Sequence, residues 1–318
     1  MTLPEPTPTS NSGAARQWTA GEKHLITGAA ALAPSVHNTQ PWVLEFHDEH
    51  ISLYERLDRA LPHHDPVGRD RLISCGAAVE NAVSAMRILG WLPAVRLRHD
   101  PAHPDEVARI TVTGRAEPSD VERHRHRAIS ARHSHRGPFA GRAMENDLRR
   151  ELLGAHTVDG VGLRALADPE EVAALARLVS HSALVLRADH AYQRELTAWT
   201  APVREPMPGA GVSSATRRVS TLPWAGLVRR TTAIPDIGFL ADRLSREFLV
   251  LVETPDDGRH DHVRAGMAAE QVWLAAVDAG LAGSLLTQPF QLPEVRAGLV
   301  EKLALSGFPQ LLLRFGYL

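Results

Sequence analysis

A single cysteine, Cys75, among 318 residues excludes an internal disulfide and any zinc or iron-sulfur centre built from several thiolates. That usage fits a reducing, cytoplasmic setting. Aromatic residues are scarce at 5%, and Lys+Arg at 35 nearly balance Asp+Glu at 37, for a net charge of −2. The chain therefore offers neither the positive field that binds nucleic acid by counterion release nor the rings that stack on bases, and no nucleic-acid partner is expected. No apolar run approaches the roughly 18 residues that cross a bilayer, so no membrane partner is expected either. The longest runs, FLVLV at 248–252 and LLL near 312, read as buried strands. MTLPEPTPTSNSG at the start lacks the apolar segment of a signal peptide, and residues 1–20 are expected to form a mobile tail. What is present is ample core material, 44% hydrophobic residues, in a length that suits two domains or one double-sized fold.

The chain repeats itself once. Gly76 and Gly90 bracket a segment with Glu80 four residues in, and Gly266 and Gly280 bracket another with Glu270 at the same place. All three offsets are 190 residues, and Asn81 aligns with Gln271. Apolar residues recur at helical spacing in both copies, and each closing glycine suits a left-handed cap, so each is expected to be a buried helix. A strand ending in glycine follows each copy, at Gly114 and at Gly316, and the wider second spacing implies a twelve-residue insertion. Helices are expected near 21–32, 70–89, 119–131, 145–154, 169–186, 261–279 and 293–304, with strands at 43–46, 51–54, 107–114, near 163, 248–252 and 310–316. The pattern is α+β. Between 199 and 237 the sequence has five prolines and no sustained period. The apolar residues Trp199, Trp224 and Leu227 make it readable as a lid, with a surface loop as the plain alternative.

Two segments carry chemistry. In Pro34-Ser-Val-His-Asn-Thr-Gln-Pro-Trp42, prolines fix the backbone while Ser35, Asn38, Thr39 and Gln40 supply donors and acceptors suited to a flat polar heterocycle. Without context it reads first as a helix-to-strand connection whose Ser and Asn cap the chain ends. In Arg132-His-Ser-His-Arg136, two guanidinium groups flank a hydroxyl, an arrangement that can clamp a phosphate. The plain alternative is a solvated basic stretch, because residues 124–136 hold four histidines and four arginines. Elsewhere His63-His64-Asp65 and His260-Asp261-His262 invite a metal, but no pair has the helical spacing of a zinc site with a catalytic glutamate, and no metal is expected. Cys75 reads as a small buried residue.

The first of these segments resembles the P-S-x-x-N-x-Q-P-W signature of the nitroreductase flavoprotein superfamily, and RHSHR followed by Phe139 is similar to its R-x-S-x-R-x-F signature. Ordinary members carry the two in the opposite order, whereas here the clamp follows the loop by about a hundred residues. The inversion resembles the Acg-type branch, in which two nitroreductase units are fused so that one chain imitates the homodimer. Asp65-Pro-Val-Gly-Arg69, Leu286-Thr-Gln-Pro289 and the C-terminal PQLLLRFG match that branch, and the likeness covers about residues 21–318. The resemblance implies a nitroreductase-like α+β fold, internally duplicated as a pseudo-dimer of antiparallel sheets surrounded by helices, with halves at 21–118 and 119–318.

It also implies FMN as cofactor, with NADH or NADPH as electron donor. The phosphate would lie at Arg132, Ser134 and Arg136, with Arg314 as a third cation, and the ring at Pro34, Ser35, Asn38 and Gln40. Backbone at Thr287 and Gln288 would stand near the flavin N5, and no side chain need serve as acid or base. The second half has no copy of the loop before its strand near 163, and the first half has only Arg16 where a clamp would lie. One site per monomer is expected. The implied activity is electron transfer to a small-molecule acceptor such as a nitroaromatic, quinone or conjugated alkene. The alternatives are a lid-closed FMN store and, against the charge balance, a phosphate or nucleic-acid module at 123–136.

Overall fold

The computed structural model describes residues 17–98, 100–200 and 227–318. Helix α1 (Ala20–Ala31) starts at a reciprocal cap, where the Glu22 amide donates to Thr19 Oγ1 at 3.2 Å and the Thr19 amide to Glu22 Oε2 at 2.9 Å. Ser119 and Glu122 start α3 (Asp120–Ala131) in the same way, and Asp168 caps α5 (Pro169–Ala188). The remaining helices are α2 (Arg69–Ile88), α4 (Asn146–Leu153), α6 (His190–Thr200), α7 (Ile237–Ser245), α8 (Arg259–Asp278) and α9 (Pro293–Lys302). Each of the seven expected helices lies within two residues of its expected bounds, whereas α6 and α7 were not foreseen.

The strands form two antiparallel four-stranded sheets of the same topology. In the first, β1 (Trp42–Phe46), β2 (His50–Glu55), β3 (Trp91–Leu97) and β4 (Glu106–Arg115) take the order β1-β2-β4-β3. In the second, β5 (Gly162–Leu166), β6 (Phe248–Thr254), β7 (Ala282–Leu286) and β8 (Phe308–Gly316) take the order β5-β6-β8-β7. Each repeat helix, α2 or α8, connects the second and third strands of its sheet, so the duplication read from glycine spacing is a duplication of structure. The twelve extra residues of the second copy accommodate α9. A longer insertion, containing α5 to α7, separates β5 from β6 where β1 and β2 are joined by a tight turn.

That insertion explains the composition of the strands. Burial alternates along β3, whose outer side chains face solvent. By contrast β6 and β8 are buried almost throughout, because α8 packs on one face of their sheet and α5, α7 and α9 on the other. At the centre α2 and α8 cross with Gly76 against Val263 and Gly266 against Ile73. A Cβ at either glycine would lie far inside van der Waals contact with the facing carbonyl oxygen, so only glycine permits this approach. Cys75, beside the crossing, is fully buried, with Sγ 3.3 Å from the Pro41 carbonyl oxygen, and burial pushes its thiol pKa up.

Within the expected tail, Trp18 is anchored in the fold, while Gln17, Thr19 and Ala20 around it are exposed. Trp18 is buried and its Nε1 donates to the His47 carbonyl at 2.6 Å. The remainder of the expected tail lies outside the described residues, as does most of the expected lid, including Trp224. At the ends of that segment, Trp199 is half-buried and Leu227 fully buried, the latter in a small cluster with Tyr192, Leu196 and Val228.

Candidate functional site

The loop between α1 and β1 has unusual backbone. His37, Asn38 and Gln40 have φ of 51°, 56° and 48°, left-handed values that side chains other than glycine seldom adopt. The surroundings hold the loop there. The Gln40 amide donates to Ser35 Oγ at 3.0 Å and its side-chain Nε2 to the Ala31 carbonyl at 2.8 Å, while the Pro41 carbonyl receives the Arg56 amide at 3.0 Å. Strain maintained by so many bonds is a mark of functional sites. The second segment is extended: α3 ends at Ala131, Ser134 bridges to Gly283 in parallel, and the His135 amide donates to the Gly283 carbonyl at 2.8 Å. The basic segment thereby lies along the free edge of β7.

Between these segments lies a cavity with about 730 Å³ of empty space, its open mouth included. Its walls come from both halves. Pro34, Ser35 and His37 and the α2 side chains Asp70, Ile73 and Ala77 face Ser134, Arg136 and the α8 side chains Ala269, Glu270 and Trp273. Thr287 and Gln288, after β7, and Leu227 complete it. Six of the ten residues singled out in the sequence therefore converge: Pro34, Ser35, Ser134, Arg136, Thr287 and Gln288. The Arg136 guanidinium makes no hydrogen bond or ion pair among the described residues, and burial lowers its pKa, so the cavity wall carries an uncompensated cation. Burial, together with His64, Arg136 and Arg229, holds His37 well below its usual 6.5, which leaves it neutral at pH 7.

The other four stand back from the cavity. Asn38 and Gln40 belong to the strained turn, Gln40 spending its amide on Ala31. Arg132 is engaged three ways: Nη2 donates to the Leu32 carbonyl at 2.8 Å, Nε lies 3.5 Å from Glu270 Oε1, and the guanidinium sits 4.7 Å from the Trp273 ring. Arg314 is fully buried, with Glu247 accepting from Nε at 2.6 Å and from Nη2 at 2.7 Å, and is not the free third cation that was expected. A guanidinium already neutralised by a buried carboxylate has little charge left for a phosphate.

Sequence reading missed the polar groups that α2, α8 and the 61–65 loop contribute. Arg69 is buried and donates to the Gln310 carbonyl, to Asp70 Oδ1 at 2.9 Å and to the Thr287 carbonyl at 3.2 Å, fixing the backbone at Thr287. Gln288 is fixed by Tyr192, whose hydroxyl accepts from its Nε2. Glu80 and Glu270, the paired glutamates of the repeat, are both buried. Burial pushes Glu80 up to about 7, although Gln271 Nε2 donates to it at 2.8 Å. Burial likewise pushes Glu270 up to about 7, Arg132 opposing the rise and Glu80 adding to it. The signal for this pair was visible: a carboxylate at the same place in the apolar middle of each repeated segment.

No protein-family model matches the sequence. A Mycobacterium tuberculosis protein provisionally named NAD(P)H nitroreductase Rv3131 is 30% identical over 292 residues, covering 91% of this chain and 83% of that protein. Another from the same species, provisionally named NAD(P)H nitroreductase acg, is 31% identical over 297 residues, covering 90% and 86%. The chain therefore belongs to the NAD(P)H nitroreductase family, in the branch that includes acg. Among solved structures, the FMN-dependent nitroreductase NfnB of Mycobacterium smegmatis in complex with NADPH is 15% identical, aligning 62% of this chain with 89% of that one at a TM-score of 0.40. A protein from Anabaena variabilis, provisionally identified as a nitroreductase, is 12% identical, aligning 84% with 69% at a TM-score of 0.46.

Proposed function

We propose that this chain is an FMN-dependent oxidoreductase that draws electrons from NADH or NADPH and passes them to a small oxidised acceptor, a nitroaromatic, quinone or conjugated alkene, in the cavity between its halves. The observation that carries the reading is the convergence of Pro34, Ser35, Ser134, Arg136, Thr287 and Gln288 on one cavity with an unpaired guanidinium in its wall. These residues fit the cofactor: Arg136 and Ser134 would hold its phosphate, Pro34 and Ser35 would border its ring, and the backbone at Thr287 and Gln288 would face its reacting edge. Arg132, Arg314, Asn38 and Gln40 would act behind that surface, keeping the walls in place. Bound FMN supplies hydride exchange, and the protein's part is to orient it, exclude water and tune its electrostatics. On this reading the halves span 21–118 and 119–318, only one complementary site exists, and a monomer suffices. Among the described residues no helix is long and apolar enough to cross a membrane.

The test is anaerobic addition of NADH or NADPH to the purified holoprotein, followed by its visible flavin absorbance. Bleaching that a quinone or nitroaromatic reverses is the expected result. A bound flavin that neither nucleotide reduces would refute the reductase and favour an FMN store. Heat-released flavin measured against protein should give one FMN per chain, and a ratio near two would refute the single-site reading.

A further inference from the structure

One helix of the insertion, α6, stands behind three separate parts of the cavity wall. The spacing of three and four residues puts its Tyr192, Glu195 and Leu196 on one face. The Tyr192 hydroxyl accepts from Gln288 Nε2, and the Tyr192 ring packs 5.8 Å from that of His64. Tyr192 and Leu196 also share a buried cluster with Leu227. Gln288, His64 and Leu227 all line the cavity. Gln193 fixes the stretch after Leu227, its Nε2 donating to the Val228 carbonyl at 2.9 Å and its Oε1 accepting the Arg230 amide at 3.0 Å.

Glu195 makes the contact that crosses to the other side of the cavity. Its Oε1 accepts the His64 amide at 2.7 Å and its Oε2 the His63 amide at 3.1 Å, so one carboxylate of the insertion holds two successive amides of the 61–65 loop. Bonds of this charge-assisted kind are stronger than those between neutral groups. The next residue, Asp65, accepts the Asp70 amide at 3.1 Å and the Arg71 amide at 2.8 Å, which carries the attachment on to the start of α2. From there α2 supplies Ile73 and Ala77 to the cavity. The first sheet has no equivalent insertion, since a tight turn joins β1 to β2, so the frame is duplicated but this attachment is made once.

We propose that α6 is a latch across the cofactor cavity and that Glu195 is the positioning residue that sets how fast bound FMN leaves. The inference rests on the cofactor reading above. A ligand enclosed by walls from both halves leaves when those walls separate, and each bond across the boundary adds to the free energy of that local opening. Removing the Glu195 carboxylate frees the 61–65 loop from the insertion and leaves Ser134 and Arg136 in the cavity wall. The effect therefore falls on exchange: release and uptake both quicken, and affinity changes less than either rate.

The test is FMN exchange in the full-length protein. Holoprotein is diluted below its dissociation constant and the gain in free-flavin fluorescence is followed, with uptake by the apo-protein measured by stopped flow. Glu195→Ala should release FMN about tenfold faster or more, from loss of two charge-assisted bonds. Glu195→Gln, which keeps one acceptor and turns an NH2 group toward the second amide, should fall between Glu195→Ala and the natural protein. Tyr192→Phe, which keeps the ring beside His64 but loses the acceptor for Gln288, should also quicken release. His181→Ala, which removes an exposed contact with Glu294 elsewhere in the insertion, should leave the rate unchanged. Urea midpoints of the same proteins separate latch from scaffold. A Glu195→Ala protein that is less stable yet releases FMN at the natural rate overturns the latch, as does equal acceleration by His181→Ala. Should Glu195→Ala fail to fold, Glu195→Gln is judged by the same criterion. A natural protein that takes up no FMN overturns the cofactor reading together with the latch.

Discussion

Replacing Glu80 by glutamine should convert a pH-dependent weakness of the fold into a pH-independent one. Glu80 lies 7% exposed on α2, and its ordinary value of 4.5 is pushed up to about 7 by burial. A carboxyl whose pKa is raised on folding is protonated in the folded chain and ionised in the unfolded one between those limits. Stability is then full below pH 4.5, falls as pH rises through the window, and reaches its lower plateau above about 7. At about 1.4 kcal/mol per pH unit the loss is about 3 kcal/mol for a fully buried group, and Glu270 adds a comparable amount that is not independent, since each charge raises the other's cost. Glutamine keeps an oxygen for the 2.8 Å bond from Gln271 and never ionises. Urea unfolding at pH 5 and pH 8 should show Glu80→Gln losing about 3 kcal/mol less than the natural protein between the two, because the opposing gain from buried neutral histidines such as His37 is common to both. Any cost of placing the new amide hydrogens is the same at both pH values and cancels in that difference. The reasoning is refuted if Glu80→Gln keeps the pH dependence of the natural protein.

Other substitutions separate cofactor binding from scaffold. Gly266→Ala, which would drive a methyl into the Ile73 carbonyl, should cost about 3 kcal/mol or prevent folding, measured by thermal or urea unfolding. Arg136→Ala should weaken FMN binding by tenfold or more in a fluorescence titration, from loss of a charge-assisted bond worth about 1.5–3 kcal/mol, while the apo-protein keeps or gains stability because a buried unpaired cation is removed. Arg314→Leu should do the opposite, costing about 3–5 kcal/mol of stability by stranding Glu247, and unchanged stability would restore Arg314 as a candidate for the phosphate.

Local, contiguous signals made much of this protein legible in its sequence. Thr19 with Glu22 and Ser119 with Glu122 start helices where capping chemistry requires, and Gly76 with Gly266 mark the repeat whose close crossing only glycine allows. The continuous apolar runs of β6 and β8 told of a sheet covered on both faces. By contrast β3 carries Pro93 and Arg96 on an edge, and β7 is a five-residue Ala-Gly-Ser-Leu-Leu whose strand state comes from pairing with β8, so neither has a strong strand signature of its own. The site divided along the same line. The loop at 34–42 and Ser134 with Arg136 could be picked out as segments, because residue types at fixed spacing are local facts, and Thr287 with Gln288 followed from the family resemblance those segments carry. Which arginine is free could not be, since Arg314 finds Glu247 across 67 positions of sequence and Arg132 finds Glu270 on another helix. Periodicity and capping are written in neighbouring residues, whereas the neutralisation of a buried charge depends on whatever the fold brings within a few ångströms, and that the tertiary structure alone decides.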